Sequence, residues 1–286
     1  SRKMVKTALL TDSFGGQMAD TTRIENYTGF QMVGGRELTD KFLDHVKHFR
    51  MPIAEGRRIA RVTRDGGLFS AAQEDGQVFR GKTVVFTTGR SYRRLGVPGE
   101  AELSGHGVSY CAICDAPFFA GKRVVIAGGA NSAFTAALDL LKIARDITLV
   151  NIVPGWQADE SLMKPVTASE SVTFLDNHEI TRIEGEGKVQ MVRVRSRASG
   201  EEKSIEADGV FVEIGGTPNS EPVRGLADLN EAGELIVDCR AQTSVEGLFG
   251  AGDVTTVPYK QIIISAGDGS KAALSAHDYL TKRGHA

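Results

Sequence analysis

The sequence predicts an α/β protein built from two similar halves, one of which is inserted into the other. Three observations support this prediction. Short apolar strands alternate with helical segments, each such unit continues into a run of β-rich segments, and the C-terminal part returns to the pattern of the first half. With 286 residues, the chain is long enough for two domains that each bury a core.

Composition and charge exclude several classes of function. The 34 Lys and Arg residues nearly balance the 36 Asp and Glu residues, and the sequence has no basic run of the kind that binds nucleic acid. No apolar stretch reaches the roughly 18 residues of a membrane span. Three cysteines are too few for a disulfide framework in a chain of this length. We therefore expect a cytoplasmic protein with no nucleic-acid or membrane partner.

The first half contains, in order, a strand, a helix, a small β insert and a buried strand. The helix covers residues 36–49 and has one apolar face, formed by Leu38, Phe42, Leu43, Val46 and Phe49. Strands are predicted at residues 7–11, 59–62, 68–72, 77–79 and 82–87. The last of them ends at Thr88 and Gly89, and residues 92–100 predict a linker.

The second half begins at Arg123 and repeats this order. A strand at 123–127, a helix at 131–143 and a strand at 146–150 form its αβ unit. Further strands of this half are predicted at residues 179–183, 189–196, 201–206 and 209–214. The tail then resumes the pattern of the first half, with strands predicted at 235–237 and 248–250. A turn at 251–253 and a long helix from Lys260 to Leu280 follow. Both halves are therefore expected to be Rossmann-like three-layer domains.

The beginning of the sequence lacks one expected unit. A dinucleotide-binding fold starts with a strand, a Gly-x-Gly-x-x-Gly turn and a helix, and none of them precedes the strand at residues 7–11. Either the sequence starts inside its first βαβ unit, or the domain has lost that unit. We favour an N-terminally shortened sequence, because the motifs that follow are intact.

Two cysteines one helical turn apart, Cys111 and Cys114, are the most informative residues. Such a pair can cycle between dithiol and disulfide, and a helix start lowers a thiol pKa through its N–H groups and dipole. A zinc half-site and a pair of inert core cysteines stay open as alternatives. Zinc needs four ligands, and the sequence adds only Cys239 and a nearby His106. Cys239 itself is expected to be structural.

A glycine-rich turn joins the strand at 123–127 to the helix at 131–143. Its position predicts nucleotide binding by Gly128, Gly129, Asn131 and Ser132. The turn departs from Gly-x-Gly-x-x-Gly/Ala at Ala130, because a methyl group there crowds the place where phosphate lies against the backbone.

The residues that follow the strand at 146–150 also differ from the dinucleotide-binding pattern. Asn151 stands where a carboxylate would hold an NAD ribose, and no Arg or Lys follows before Lys164. The sequence therefore disfavours NADPH as the electron donor and, slightly less, NADH. Trp156 in the same loop is expected to be a packing aromatic.

These motifs resemble those of the low-molecular-weight thioredoxin reductases and the related flavoprotein subunit of alkyl hydroperoxide reductase. The matching segments occur in family order over nearly the whole chain, at residues 15–17, 24–30, 111–115, 128–133, 243–253 and 259–262.

The resemblance implies a flavoprotein disulfide reductase. An FAD-binding domain of residues 1–94 and 216–286 would be interrupted by an NAD(P)H-type domain of residues 95–215, which carries the cysteines. FAD would be held by Gly15, Gly16, Gln17, Asn26, Thr88, Gly89, Gly252, Asp253, Lys260, Gln261 and Ile262. Asp115 would be the proton donor and acceptor of the exchange. The partner would be thioredoxin or a thioredoxin-like protein, and the family is typically a homodimer whose domains rotate about the linkers.

Two alternative functions stay open. Some family members lack the same nucleotide features and take electrons from ferredoxin or an unidentified donor, and the sequence at Ala130 and Asn151 is similar to theirs. A flavin oxidase that reduces oxygen belongs to the same alternative. A flavin-free, non-catalytic binding protein would follow if the absence of the first βαβ unit is real.

Overall fold

The computed structural model describes residues 3, 5–21 and 24–284 of the chain. The described chain divides into two compact units. Unit 1 combines the segment that ends at Ser91 with the segment that begins at Thr217, and unit 2 is Tyr92–Gly216. Unit 2 is thus inserted into unit 1, and the chain crosses between them twice. Seven residues of the predicted FAD-binding domain lie outside the described residues: Ser1, Arg2, Met4, Thr22, Arg23, His285 and Ala286.

The elements confirm an α/β protein. The strands are β1 (Leu9–Thr11), β2 (Ile53–Glu55), β3 (Ile59–Asp65), β4 (Leu68–Gln73), β5 (Val78–Gly81), β6 (Val84–Phe86), β7 (Arg90–Tyr92), β8 (Val108–Ser109), β9 (Arg123–Ala127), β10 (Asp146–Val150), β11 (Val172–Leu175), β12 (His178–Glu184), β13 (Met191–Ser196), β14 (Glu202–Glu206), β15 (Gly209–Val212), β16 (Gly216–Pro218) and β17 (Leu248–Gly250). The α-helices are α1 (Gly16–Asp20), α2 (Gly35–His48), α3 (Ala112–Asp115), α4 (Asn131–Leu140), α5 (Glu160–Thr167) and α6 (Ile262–Lys282).

Unit 1 contains short parallel pairs and one antiparallel sheet. β1 pairs with β2, with Leu9 opposite Ile53, and β6 pairs with β17, with Val84 opposite Leu248. The antiparallel sheet has the order β3-β4-β5. In the core of unit 1, the buried Phe69 of this antiparallel sheet packs in one cluster with the buried Phe86 of β6 and Leu248 of β17. The long helix α6 packs Ala272 and Ala276 against Phe249.

Unit 2 has three layers around a parallel sheet of order β11-β10-β9-β15-β8. Successive side chains of a strand point to opposite faces, and β9 shows this directly. Ile126 packs among the residues of α4, while Val125 packs against β13 of the antiparallel sheet β12-β13-β14. Both side chains are fully buried. The parallel sheet is therefore covered by helices on one face and by an antiparallel sheet on the other.

Most predicted elements are confirmed, and the differences have local causes. The predicted strand at 235–237 is wrong, because Leu235 makes isolated bridges to Leu229 and Thr255 instead of a ladder. Helix α4 ends at Leu140, three residues before the predicted end. The prediction omitted α5, which has only eight residues and contains Pro165, a residue that usually ends a helix. Among the described residues, no helix combines the length and apolar character that a membrane crossing requires.

Candidate functional site

The two cysteines of unit 2 are joined in a disulfide. Cys111 is the N-cap residue of α3, and its carbonyl accepts hydrogen bonds from the N–H groups of Cys114 and Asp115. The Cα atoms of Cys111 and Cys114 lie 5.3 Å apart. Helix α3 is fixed to the core of unit 2 by Ala112, which is buried beside Phe134 and Phe211. The pair therefore fits a redox-active disulfide on a rigid support.

Asp115 lies at the other end of this helix and is mostly buried. Ser109, at the end of β8, donates a hydrogen bond from Oγ to Asp115 Oδ2 at 2.7 Å. The same Oγ accepts a hydrogen bond from the Cys111 N–H at 3.1 Å. Burial raises the pKa of Asp115 above its ordinary value, and the Ser109 hydrogen bond offsets part of that rise. Asp115 can therefore hold a proton at higher pH than an exposed aspartate.

A shallow, mainly apolar groove of about 450 Å³ borders the disulfide helix. It is lined by Ala112, Ile113, Ala116, Pro117, Thr135, Asp139 and Ile143. Ile113, between the two cysteines, is 59% exposed and extends this apolar lining to the surface. The disulfide therefore lies beside an apolar surface that a protein partner can contact.

A second carboxyl group reaches the disulfide helix and was missed by the sequence analysis. Glu213 directly follows the buried strand β15, and its Oε1 accepts a hydrogen bond from the Ala112 N–H at 3.3 Å. Burial raises the pKa of Glu213 to about 7. The Ala112 bond lowers it, and the negative charge of Asp139 raises it further. The only sequence signal was a lone charged residue at the end of an apolar strand.

The glycine-rich turn joins β9 to α4 as predicted, but the chain's own residues close over it. Gln157 donates its N–H to the Gly129 carbonyl at 2.7 Å, and Gln157 and Ala130 form a β-bridge. A Cβ atom on Gly129 would lie 2.2 Å from Asn151 Nδ2, so the Asn151 side chain lies against the turn. Gly128 has φ +142°, a conformation that favours glycine.

The loop after β10 is held by its own hydrogen bonds. Asn151 Nδ2 donates to the Gly155 carbonyl at 2.6 Å and to Gln157 Oε1 at 3.1 Å. Asn131, at the start of α4, exchanges hydrogen bonds with Asp159 through Nδ2 and Oδ1. Ser132, the next residue of α4, is exposed.

The packing role predicted for Trp156 is confirmed. Its ring contacts Phe134 at 5.6 Å and Phe174 at 5.3 Å, both edge-on.

This turn does not fit a nicotinamide dinucleotide. Ala130 occupies the place of the second glycine, the buried Asn151 occupies the place of the ribose carboxylate, and loop 151–157 contributes no cation for a phosphate. The strand and helix that flank the turn have the expected positions, so the misfit comes from the residues and not from the fold.

The residues predicted to hold a flavin lie in unit 1, and several are brought into contact there. Asn26 Nδ2 donates to Gln261 Oε1 at 2.7 Å, joining positions far apart in the sequence. Gln261 is the N-cap residue of α6, and Ile262 is the first residue of that helix. Asp253 Oδ1 accepts from Ser265 Oγ of α6 at 3.0 Å. These predicted residues therefore surround the beginning of the longest helix.

The remaining predicted flavin residues are held in specific backbone conformations. Gly15 has φ +91°, and a Cβ there would lie 2.6 Å from Thr39, so the turn requires glycine. Gly16 and Gly252 also have positive φ. Gln17 is the second residue of the short helix α1, which begins at Gly16, and its side-chain amide donates to the Arg90 carbonyl.

Two sets of the predicted flavin residues form hydrogen bonds to other residues of the chain. Lys260 Nζ donates to the carbonyls of Thr255 at 2.5 Å and Val257 at 2.7 Å, and pairs with Glu234 at 3.3 Å. Thr88 exchanges hydrogen bonds with Asn219, a residue that the sequence analysis missed, and the Asn219 N–H donates to the Gly89 carbonyl.

The unit 1 residues fit a flavin. A flavin presents hydroxyl and ring-edge amide groups and needs both donors and acceptors. Asp253 supplies a carboxylate with one oxygen engaged by Ser265. The N-terminus of α6 supplies main-chain N–H donors and the positive end of a helix dipole.

The prediction for Cys239 is wrong. The residue lies in an exposed turn, where its thiol is free and contributes nothing to a core. Among the described residues, no cluster of three or more metal-ligating side chains occurs.

Comparison with known proteins agrees with this arrangement. The model of the pyridine nucleotide-disulphide oxidoreductase family matches residues 5–273. A subunit of alkyl hydroperoxide reductase from Escherichia coli is 38% identical over 99% of this chain, and an NADH dehydrogenase from Bacillus subtilis is 41% identical. Each match covers 55% of the relative, so the chain spans about half the length of the curated relatives it matches.

Solved structures resemble the chain over most of their own length. Thioredoxin reductase from Streptococcus pyogenes has a TM-score of 0.88 and 32% identity, covering 94% of this chain and 87% of that one. Thioredoxin reductase from T. acidophilum has a TM-score of 0.63 and 36% identity, covering 97% and 91%. The chain therefore belongs to the pyridine nucleotide-disulphide oxidoreductase family and resembles the thioredoxin reductases within it.

Proposed function

We propose that this protein is an FAD-dependent disulfide oxidoreductase that reduces thioredoxin or a thioredoxin-like protein. The observation that carries the proposal is the Cys111–Cys114 disulfide at the start of α3, with the partly buried carboxyl of Asp115 at the end of the same helix. A disulfide on a rigid helix, a proton-holding group and an adjacent apolar groove are the parts that thiol–disulfide exchange with a protein partner requires.

The flavin would be held by residues of unit 1. Asp253 would accept hydrogen bonds from its hydroxyl groups, and the start of α6 at Gln261 and Ile262 would face its polar ring edge. Gly15 and Gly16, next to Gln17, would leave room for close approach of the backbone, and Asn26 would fix Gln261 through the observed hydrogen bond. When bound, FAD supplies the two electrons that convert the Cys111–Cys114 disulfide to a dithiol.

The exchange itself uses the residues of unit 2. One thiol of the reduced pair loses a proton and attacks a sulfur of the partner's disulfide, giving a mixed disulfide and a partner thiolate. The second thiol, as thiolate, then attacks the mixed disulfide, so the Cys111–Cys114 bond forms again and the partner leaves as a dithiol. Asp115 accepts a proton from a cysteine and returns it to the leaving sulfur. Ser109 orients its carboxyl for both steps.

The closed nucleotide turn bears on the source of electrons. Because the turn does not fit a dinucleotide, we propose that the chain takes electrons from a donor other than NADPH or NADH, with reduced ferredoxin as the candidate. Anaerobic addition of each donor separately to the FAD-loaded chain distinguishes them. The effective donor bleaches the flavin absorbance near about 450 nm.

A paired substitution tests this account of the turn. Ala130→Gly with Asn151→Glu should raise the affinity for NADH at least about tenfold, because the first change restores the backbone approach and the second restores a ribose-binding carboxylate. Affinity for NADPH should not rise, since the new carboxylate repels a 2′-phosphate. Fluorescence titration with each nucleotide measures both. Wild-type affinity for NADH equal to that of the double variant would contradict the prediction.

The cellular context belongs to the same proposal. An enzyme that cycles a cysteine pair against thioredoxin works in a reducing compartment, so we propose a cytoplasmic location. We also propose that the protein acts as a homodimer, as the resemblance implies.

The proposed function predicts stoichiometric transfer of electrons to thioredoxin. The full chain is loaded with FAD, reduced anaerobically by photoreduction and mixed with oxidised thioredoxin. Alkylation and mass analysis should show the thioredoxin disulfide converted to a dithiol as the Cys111–Cys114 disulfide forms again. If thioredoxin keeps its disulfide while Cys111 and Cys114 stay reduced, the proposed function is overturned.

A further inference from the structure

Glu213 connects the parallel sheet of unit 2 to the disulfide helix. It follows β15 at the same sheet edge as the glycine-rich turn after β9. Its main-chain oxygen lies so close to Gly128 that a Cβ there would approach it to 2.4 Å. Its Oε1 accepts the N–H of Ala112, the residue next to Cys111. Main chain and side chain are thus both fixed, and the carboxyl group is held beside the redox pair.

The neighbouring charge that acts on Glu213 shares its sign, because it is the carboxylate of Asp139 in α4. Asp115 ends the helix whose first N–H donates to Glu213. The hydrogen bond to Glu213 comes from a main-chain amide and not from a cation. Burial and Asp139 together bring its pKa to about 7 while the disulfide is intact. Near neutral pH the group is therefore divided between its neutral and ionised forms.

Reduction of the disulfide adds a negative charge near this carboxyl group. A thiolate on Cys111 or Cys114 repels an ionised Glu213, which favours protonation of the carboxyl group. By linkage, an ionised Glu213 disfavours the thiolate to the same extent. The two groups therefore titrate as a coupled system and not independently.

We propose that Glu213 is a positioning residue for the Cys111–Cys114 couple: its carboxylate restrains thiolate formation, and it takes up a proton when the disulfide is reduced to a thiol and a thiolate. This inference deepens the proposed function, since it assigns a role in the same redox pair. The balanced step is a disulfide and a carboxylate plus two protons and two electrons, supplied by a reduced flavin or by a dithiol such as dithiothreitol, giving one thiol, one thiolate and one carboxylic acid. Without the carboxyl group, the same step takes up one proton.

The pH dependence of the redox equilibrium tests the proposal. The full chain and its Glu213→Gln variant are equilibrated with mixtures of reduced and oxidised dithiothreitol, alkylated, and analysed for the dithiol fraction. Between about pH 7 and 8, the equilibrium constant of the wild type should change by up to tenfold more per pH unit than that of the variant. For a two-electron couple, this tenfold difference corresponds to ~30 mV in the reduction potential. Glu186→Gln, an exposed position in the same unit, should match the wild type. Superimposable wild-type and Glu213→Gln curves overturn the proposal.

A kinetic measurement separates electrostatic coupling from structural support. In the reduced proteins, the rate of alkylation by iodoacetamide follows the thiolate fraction. Glu213→Gln should show a lower thiol pKa and several-fold faster alkylation at about pH 7.5. An unchanged thiol pKa in a folded variant contradicts the coupling.

If the variant does not fold, infrared difference spectra of the wild type decide the matter. The same spectra of the Asp115→Asn variant remove the contribution of Asp115. A carboxylic acid band gained on reduction of that variant just above neutral pH supports the proposal, and its absence overturns it. None of these measurements uses flavin or thioredoxin, so their outcome is independent of whether the proposed function holds.

Discussion

Replacing Cys114 by serine is expected to reduce the rate of thioredoxin reduction at least about 10³-fold, the order of loss seen when a covalent nucleophile is removed. Serine cannot form a disulfide with Cys111, so the two electrons cannot be stored as a dithiol. Cys111 alone can still attack a partner, but no second thiol resolves the mixed disulfide. The rate of appearance of thiols on thioredoxin measures the loss.

Two further variants are compared with Cys114→Ser, one as a control and one that tests the role of Asp115. Cys239→Ser changes the same atom at an exposed position outside the pair, so its rate should stay within about twofold of wild type. Asp115→Asn keeps both sulfurs but removes the proton-holding carboxyl, and should slow exchange by about 10²–10⁴-fold. A Cys114→Ser variant that retains the wild-type rate would falsify the cysteine relay.

The Asp115 variant also has a signature in pH. Because the pKa of Asp115 is raised, its acid form persists to higher pH than in an exposed aspartate. The acid-dependent component of the wild-type rate is therefore present at low pH and disappears as pH rises through that pKa. The Asp115→Asn variant should lack this acid-dependent component of the rate.

The sequence was most informative where local pattern and burial coincide. The strand β9 was predicted at its observed bounds because Arg123 is followed by four apolar residues that lead into a glycine-rich turn, and those four residues are buried. The position of the cysteine pair at a helix start was likewise predictable, since spacing alone places both thiols on one turn. The exposure of Cys239 was not predictable, because a single cysteine has no periodic neighbours that report its environment.

Contacts across long stretches of sequence lay beyond prediction. Thr88 and Asn219 are 131 positions apart, and their hydrogen bonds follow from the insertion of unit 2 between them. Glu213 accepts its hydrogen bond from the N–H group of Ala112, which is 101 positions away. The sequence showed the missing second glycine at Ala130, but only the fold shows that Gln157 and Asn151 close over the turn.

Replacing Phe134 by alanine is expected to lower the free energy of unfolding of unit 2 by about 3–5 kcal/mol, the range for deleting a buried aromatic ring. Phe134 is fully buried in α4 directly after the glycine-rich turn, and its ring contacts both Trp156 and Phe174. The substitution removes the apolar contacts and leaves a cavity that Trp156 cannot fill without moving the loop that closes the turn.

Urea denaturation followed by Trp156 fluorescence measures this loss, since Trp156 is the chain's single tryptophan and lies in unit 2. Ile152→Ala removes a half-exposed aliphatic side chain from the same loop and should change the free energy of unfolding by less than about 0.5 kcal/mol. A loss below about 1 kcal/mol for Phe134→Ala would mean that the site collapses around the smaller residue. The loop over the nucleotide turn would then be held by its hydrogen bonds and not by the aromatic cluster.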